Sequence, residues 1–104
     1  MAEFMNVGKS DEVGEGSAMG FDLGGVPVGV ARVGGRLFAF GDICTHRQCN
    51  LAMGGEIEGT TIECECHGSI FDMATGEVVQ GPATDPIQIY GVEESDGEIR
   101  VSAG

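Results

Sequence analysis

All four cysteines and both histidines of this 104-residue chain fall between positions 44 and 67. They make two short motifs, Cys44-Thr45-His46 and Cys64-Glu65-Cys66-His67, with 17 residues between His46 and Cys64. Cysteines used merely as small core residues would not cluster in this way. Each motif offers one thiolate and one imidazole, and a hairpin in the intervening segment would set the two loops side by side. A four-ligand site of Cys44, His46, Cys64 and His67 follows. Tetrahedral sites of two sulfurs and two nitrogens suit zinc or iron–sulfur. Zinc fingers pair two cysteines and then two histidines on a helix, whereas here each loop mixes the two residue types and no helical period is present. This order favours a cluster with two cysteines on one iron and two histidines on the other.

The rest of the chain reads as all-β. Met19–Leu23 alternates apolar with small or polar residues, and Val26, Val28 and Val30 share a face, with Pro27 indicating an edge strand. Val33-Gly34-Gly35-Arg36 is a two-residue hairpin signal, because both glycines can take positive φ. Leu37–Phe40 is the returning strand. Ile57 and Thr60–Glu63 form a short pair turning near Gly59. Ile70–Asp72, a turn at Ala74-Thr75-Gly76 and Glu77–Val79 come next. Gly81–Pro86 is a loop. Ile87, Ile89 and Gly91 then share a face, and a turn at Ser95-Asp96-Gly97 leads to a last strand around Ile99 and Val101. The acidic, Gly-rich segment Ser10–Met19 is expected to be a loop. With 19 glycines and 6% aromatic residues, tight turns outweigh helix. The length is that of one domain, residues 1–104.

Seventeen acidic against five basic residues leave a formal charge of -12, which excludes a phosphate-binding role on nucleic acid. That charge serves solubility on one reading and steers the chain toward basic partners on the other. With no bilayer-spanning apolar run and no signal segment, the chain is expected to be soluble and cytoplasmic, without a membrane partner. No Gly-rich loop precedes a helix, so neither NAD nor FAD binding is expected.

CTHRQC (Cys44–Cys49) and CECHGSIFD (Cys64–Asp72) resemble the two cluster-binding loops of Rieske proteins, and Gly81-Pro82-Ala83 resembles the proline loop that covers the cluster. The resemblance spans roughly Val26 to the C-terminus. It implies a Rieske-like fold of short antiparallel strands with a cluster-binding subdomain at about 41–84. It also implies one [2Fe–2S] cluster held by Cys44, His46, Cys64 and His67. Length and all-β character are similar to the ferredoxins of bacterial aromatic-ring-hydroxylating dioxygenases. The implied function is that of a monomeric one-electron carrier, not an enzyme. It would take electrons from a flavin-containing NAD(P)H reductase and give them to a terminal oxygenase. Neutral imidazoles in place of two thiolates make the electron easier to add, so such sites span about -150 to +300 mV against about -400 mV for all-cysteine ferredoxins. Competing readings are a respiratory Rieske subunit, the small subunit of a nitrite reductase and a zinc-stabilised interaction module.

Cys49 and Cys66 sit where high-potential Rieske proteins place a disulfide, a pair that dioxygenase ferredoxins commonly lack. Two readings stand: a bridge joining the loops, or two buried thiols kept reduced by the cytosol. By the same resemblance Ser69 donates a hydrogen bond toward a cluster sulfur, while Phe71 replaces a tyrosine donor. An intermediate or modestly low potential is expected, above that of ferredoxins lacking Ser69 and the bridge. Phe71, Pro82 and Met53 are candidates for shielding the cluster from water, and Arg47 and Gln48 for partner contacts. Gly54-Gly55 and Gly68 read as turn residues.

Overall fold

The computed structural model describes residues 4–44, 49–66 and 68–102. Among these described residues, ten strands form two antiparallel sheets. The larger has six strands in the order β1-β10-β9-β4-β3-β2: β1 (Phe4–Lys9), β2 (Ser17–Leu23), β3 (Val26–Val33), β4 (Arg36–Gly41), β9 (Ile89–Ser95) and β10 (Glu98–Ser102). The smaller has four in chain order: β5 (Glu56–Glu58), β6 (Thr61–Glu63), β7 (Ile70–Asp72) and β8 (Val78–Gln80). The small sheet is inserted between β4 and β9. Among the described residues the one helical element is a 3-10 turn at Ser10–Glu12, and no helix is long and apolar enough to cross a membrane.

The hairpin expected at Gly34-Gly35 is present. Both residues take positive φ, 61° and 78°, and Val33 pairs with Arg36. Glu15 clamps this turn by accepting from both glycine N–H groups. The turn at Asp96-Gly97 likewise joins β9 to β10.

Two cores lie on opposite faces of the central strands. Val28 and Val30 of β3 and Ala39 of β4 pack with Ile99 and Val101 inside the large sheet. On the other face, Ala31, Phe38 and Phe40 pack with Leu51, Ile62, Phe71, Met73 and the two cysteines Cys44 and Cys64. Gly29 is required here because the Phe40 ring lies where a Cβ would stand. The second core is therefore the seam between the sheets, and both expected iron-ligating cysteines belong to it.

Two sequence expectations are corrected. Pro27 does not mark an edge strand: β3 lies between β4 and β2. Pro27 is tolerated because it is the second residue of that strand, and its carbonyl accepts the Asp42 N–H. Ser10–Met19 is not all loop, since it includes the 3-10 turn and the start of β2. Strand β1 has no clear alternation in FMNVGK, and its register against β10 shifts between Asn6 and Gly8. Non-local pairing defines it, and Gly8 makes room for the Phe21 ring.

Arg32 joins distant segments. Its guanidinium donates to the Val13 and Ser10 carbonyls and pairs with Glu94 at 2.8 Å. The Arg32 hydrogen bond pulls the Glu94 carboxyl down to about 2 from an ordinary 4.5. A depressed carboxylate pKa stabilises the fold above its unfolded value, and that stabilisation is lost as pH falls through the folded value. Between pH 4.5 and 2 the denaturant midpoint should thus fall more steeply for the native chain than for Glu94→Gln, measured in parallel. Parallel curves would contradict the pairing.

Candidate metal centre

Two loops at the seam share one construction. The first leaves β4 through Asp42, and an isolated bridge pairs Ile43 with Asn50. It closes with a bond from the Cys44 N–H to the Cys49 carbonyl at 2.9 Å. The second leaves β6 and closes with a bond from the Cys64 N–H to the Ser69 carbonyl at 2.7 Å. Each loop thus opens on a buried cysteine and is tied shut five residues later. Gly68, at φ 78°, makes the turn in the second and donates to the Cys64 carbonyl.

The question over Cys49 and Cys66 is answered: they form a disulfide, with Cα atoms 6.5 Å apart. The covalent link fixes the first loop against the second. Cys44 and Cys64 stand outside the bridge, 3% and 1% exposed. Of four clustered cysteines, the fold therefore spends two on a crosslink and holds two as buried sulfurs at equivalent positions. That division fits a site taking one thiolate from each loop. His46 and His67, together with Thr45, Arg47 and Gln48, lie outside the described residues.

A third segment covers the second loop. The Ala83 N–H donates to Ser69 Oγ at 3.1 Å, and Gln80 Nε2 donates to the Gly68 carbonyl at 3.3 Å. Ser69 is fully buried, and Ala83 is 3% exposed. Pro82 itself is exposed, and so is Met53 at 73%, while Phe71 is fully buried in the core that contains both cysteines. Of the three candidate shields, Phe71 is the one that packs in the same core as the two cysteines.

Sequence reasoning missed Asp42. This residue is 2% exposed, and its carboxylate accepts from Asn50 Nδ2 and from the Ala52 N–H, each at 2.8 Å. Its carbonyl accepts from the Leu51 N–H at 2.6 Å. Asp42 thereby gathers both ends of the first loop. An acidic residue beside Gly41 carries no sequence signal for this, because its partners come eight to ten residues later. Asp42→Ala is expected to cost about 1.5–3 kcal/mol, since bonds to a charged acceptor are lost and buried donors are left unmet. Urea unfolding together with the rate of iron loss to a chelator checks this, and an unchanged pair of values would remove the anchoring role.

Residues 3–91 match the Rieske [2Fe-2S] domain family. The chain belongs to that family, and its cofactor is one [2Fe–2S] cluster. It is 33% identical, over 100% of its own length and 95% of the relative's, to the anthranilate 1,2-dioxygenase ferredoxin subunit of Burkholderia cepacia. Among solved structures it is similar to the ferredoxin of carbazole 1,9a-dioxygenase from Nocardioides aromaticivorans IC177, with a TM-score of 0.87 and 31% identity, covering 94% of this chain and 95% of that one. It is also similar, at a TM-score of 0.85 and 32% identity over 95% and 92% of the two chains, to a chain in a complex of reduced oxygenase and oxidised ferredoxin in carbazole 1,9a-dioxygenase.

Proposed function

We propose that this protein is the one-electron ferredoxin of an aromatic-ring-hydroxylating dioxygenase system, acting in the cytoplasm between a flavin-containing NAD(P)H reductase and a terminal oxygenase. The observation that carries this reading is full-length similarity to a dioxygenase ferredoxin subunit. Placement of Cys44 and Cys64 on two crosslinked loops supports it.

In this reading Cys44 and Cys64 hold one iron, and His46 and His67 hold the other. When bound, the cluster takes up and returns one electron. The protein's own part is to keep the two thiol positions dry and to fix the loops so that little reorganises on transfer. The disulfide, the Asp42 anchor and the Ser69–Ala83 bond do this. The acidic surface adds long-range attraction toward basic partner surfaces.

Ser69 also bears on the potential. Its oxygen accepts from Ala83, which leaves its own proton to donate. A donor toward the cluster sulfurs stabilises the reduced state and raises the potential. Ser69→Ala should lower the midpoint in a redox titration. It should also cost about 1–3 kcal/mol, because the buried Ala83 N–H loses its acceptor. A midpoint unmoved by the substitution would leave Ser69 as a structural bolt alone.

Reconstitution tests the function. Reduction by NADH through a dioxygenase-system flavin reductase, followed by reoxidation on adding the oxidised oxygenase, is the expected result. A colourless protein carrying one zinc, or a cluster that such a reductase cannot reduce, would defeat the proposal.

A further inference from the structure

Three sulfurs meet where the two loops touch. The Sγ atoms of Cys49, Cys64 and Cys66 all lie within 4.8 Å of one another. Two of them form the bridge, and the third belongs to a residue assigned above to iron. Disulfides rearrange by attack of a thiolate on a disulfide sulfur, at a rate governed partly by access. Here the fold has already brought the reacting atoms together, so the step is intramolecular.

We propose that, before the cluster is in place, the Cys64 sulfur exchanges with the Cys49–Cys66 bridge. The chain then carries a second pairing, Cys49–Cys64, which withdraws a ligand from iron. Iron bound at Cys64 locks the bridge in its Cys49–Cys66 form. The inference rests on the reading of Cys64 as a ligand.

In this step a bond forms between the sulfurs of Cys64 and Cys49, the Cys49–Cys66 bond breaks, and Cys66 leaves as a thiolate. The proton given up by Cys64 ends on Cys66. No sulfur is oxidised or reduced overall, so no other reactant is needed. Attack is directed at Cys49, which lies in the opposite loop. A Cys64–Cys66 bond would instead close a ring across Glu65 alone, a geometry that disulfides resist. The departing Cys66 is exposed, so its thiolate is released toward water. Cluster loading and disulfide identity thus compete for one sulfur.

Alkylation mapping on the full chain tests this. Iron-loaded protein is purified without reductant, and half is stripped of iron by a chelator under argon. Both halves are incubated, quenched in acid, and labelled with N-ethylmaleimide. They are then cleaved after glutamate, so that Cys64 and Cys66 fall on separate peptides. The iron-loaded chain should carry label on Cys44 and Cys64. In the stripped chain the label should shift from Cys64 to Cys66, with a new Cys49–Cys64 crosslinked peptide. Label remaining on Cys64 in the stripped chain would overturn the proposal, as would even label on all four cysteines, the mark of scrambling through unfolding. The same shift in iron-loaded protein would instead overturn the ligand assignment and leave the exchange standing. Cys64→Ser should abolish the Cys66 label, whereas Cys44→Ser, which also lacks an iron ligand, should carry label on Cys66 without any stripping.

Discussion

Cys64→Ser is expected to strip the protein of its visible absorption and of nearly all its iron. Serine is close to cysteine in size, so the turn between β6 and β7 can persist through the Cys64 N–H bond to Ser69. What the substitution removes is a soft thiolate, the donor that iron–sulfur clusters require. Losing a partner outside the metal's own ligands already costs about 10–100-fold in metal affinity, and loss of a ligand should exceed that. Iron content per chain and the EPR signal of the reduced protein check it. Cys49→Ser provides the contrast, since it opens the bridge without removing a ligand. That variant should bind the cluster and release it faster. Full iron content in Cys64→Ser would overturn the ligand assignment.

The second large effect is expected at Phe71. Its ring is fully buried, pairs across from Ile62 in the small sheet, and packs in the core shared with Cys44 and Cys64. Truncation to alanine removes buried apolar surface and leaves a cavity that strands fixed by their ladders cannot readily close. Phe71→Ala should cost about 3–5 kcal/mol. Small domains are stable by only about 5–15 kcal/mol, so this is a large share of the total. A urea melt should show an earlier midpoint, and the cluster should be lost at lower denaturant than in the native chain. A shift within about 0.5 kcal/mol would place Phe71 outside the supporting core.

The two predictions separate what a short stretch of chain can specify from what the fold must supply. The mixed Cys/His motifs need only local spacing, and the hairpin at Gly34-Gly35 needs only two residues free to take positive φ. Both are legible in the residue order. The all-β character is legible too, because alternation and turn residues recur along the chain. Strand β1 is not, since its partner β10 lies at the other end of the chain and its own sequence barely alternates. Pro27 misleads for a related reason: which strands flank β3 depends on β4 and β2 folding back, and residue type alone does not fix that.

At the site the division is finer. The sequence by itself singles out the four residues proposed as ligands, because thiolate and imidazole are the chemistry such a cluster takes and both motifs offer them at short spacing. It left Cys49 and Cys66 open between bridge and free thiols. Only the tertiary structure decided that, by bringing their Cα atoms to 6.5 Å, a distance a disulfide can span. Only the tertiary structure revealed Asp42 as the anchor of the first loop, Ser69 as the bolt to the covering segment, and the Cys64 sulfur as a neighbour of the bridge. Each of these is a contact between separate segments. Such contacts are set by how sheets pack and loops close, and residue order alone does not encode their distances.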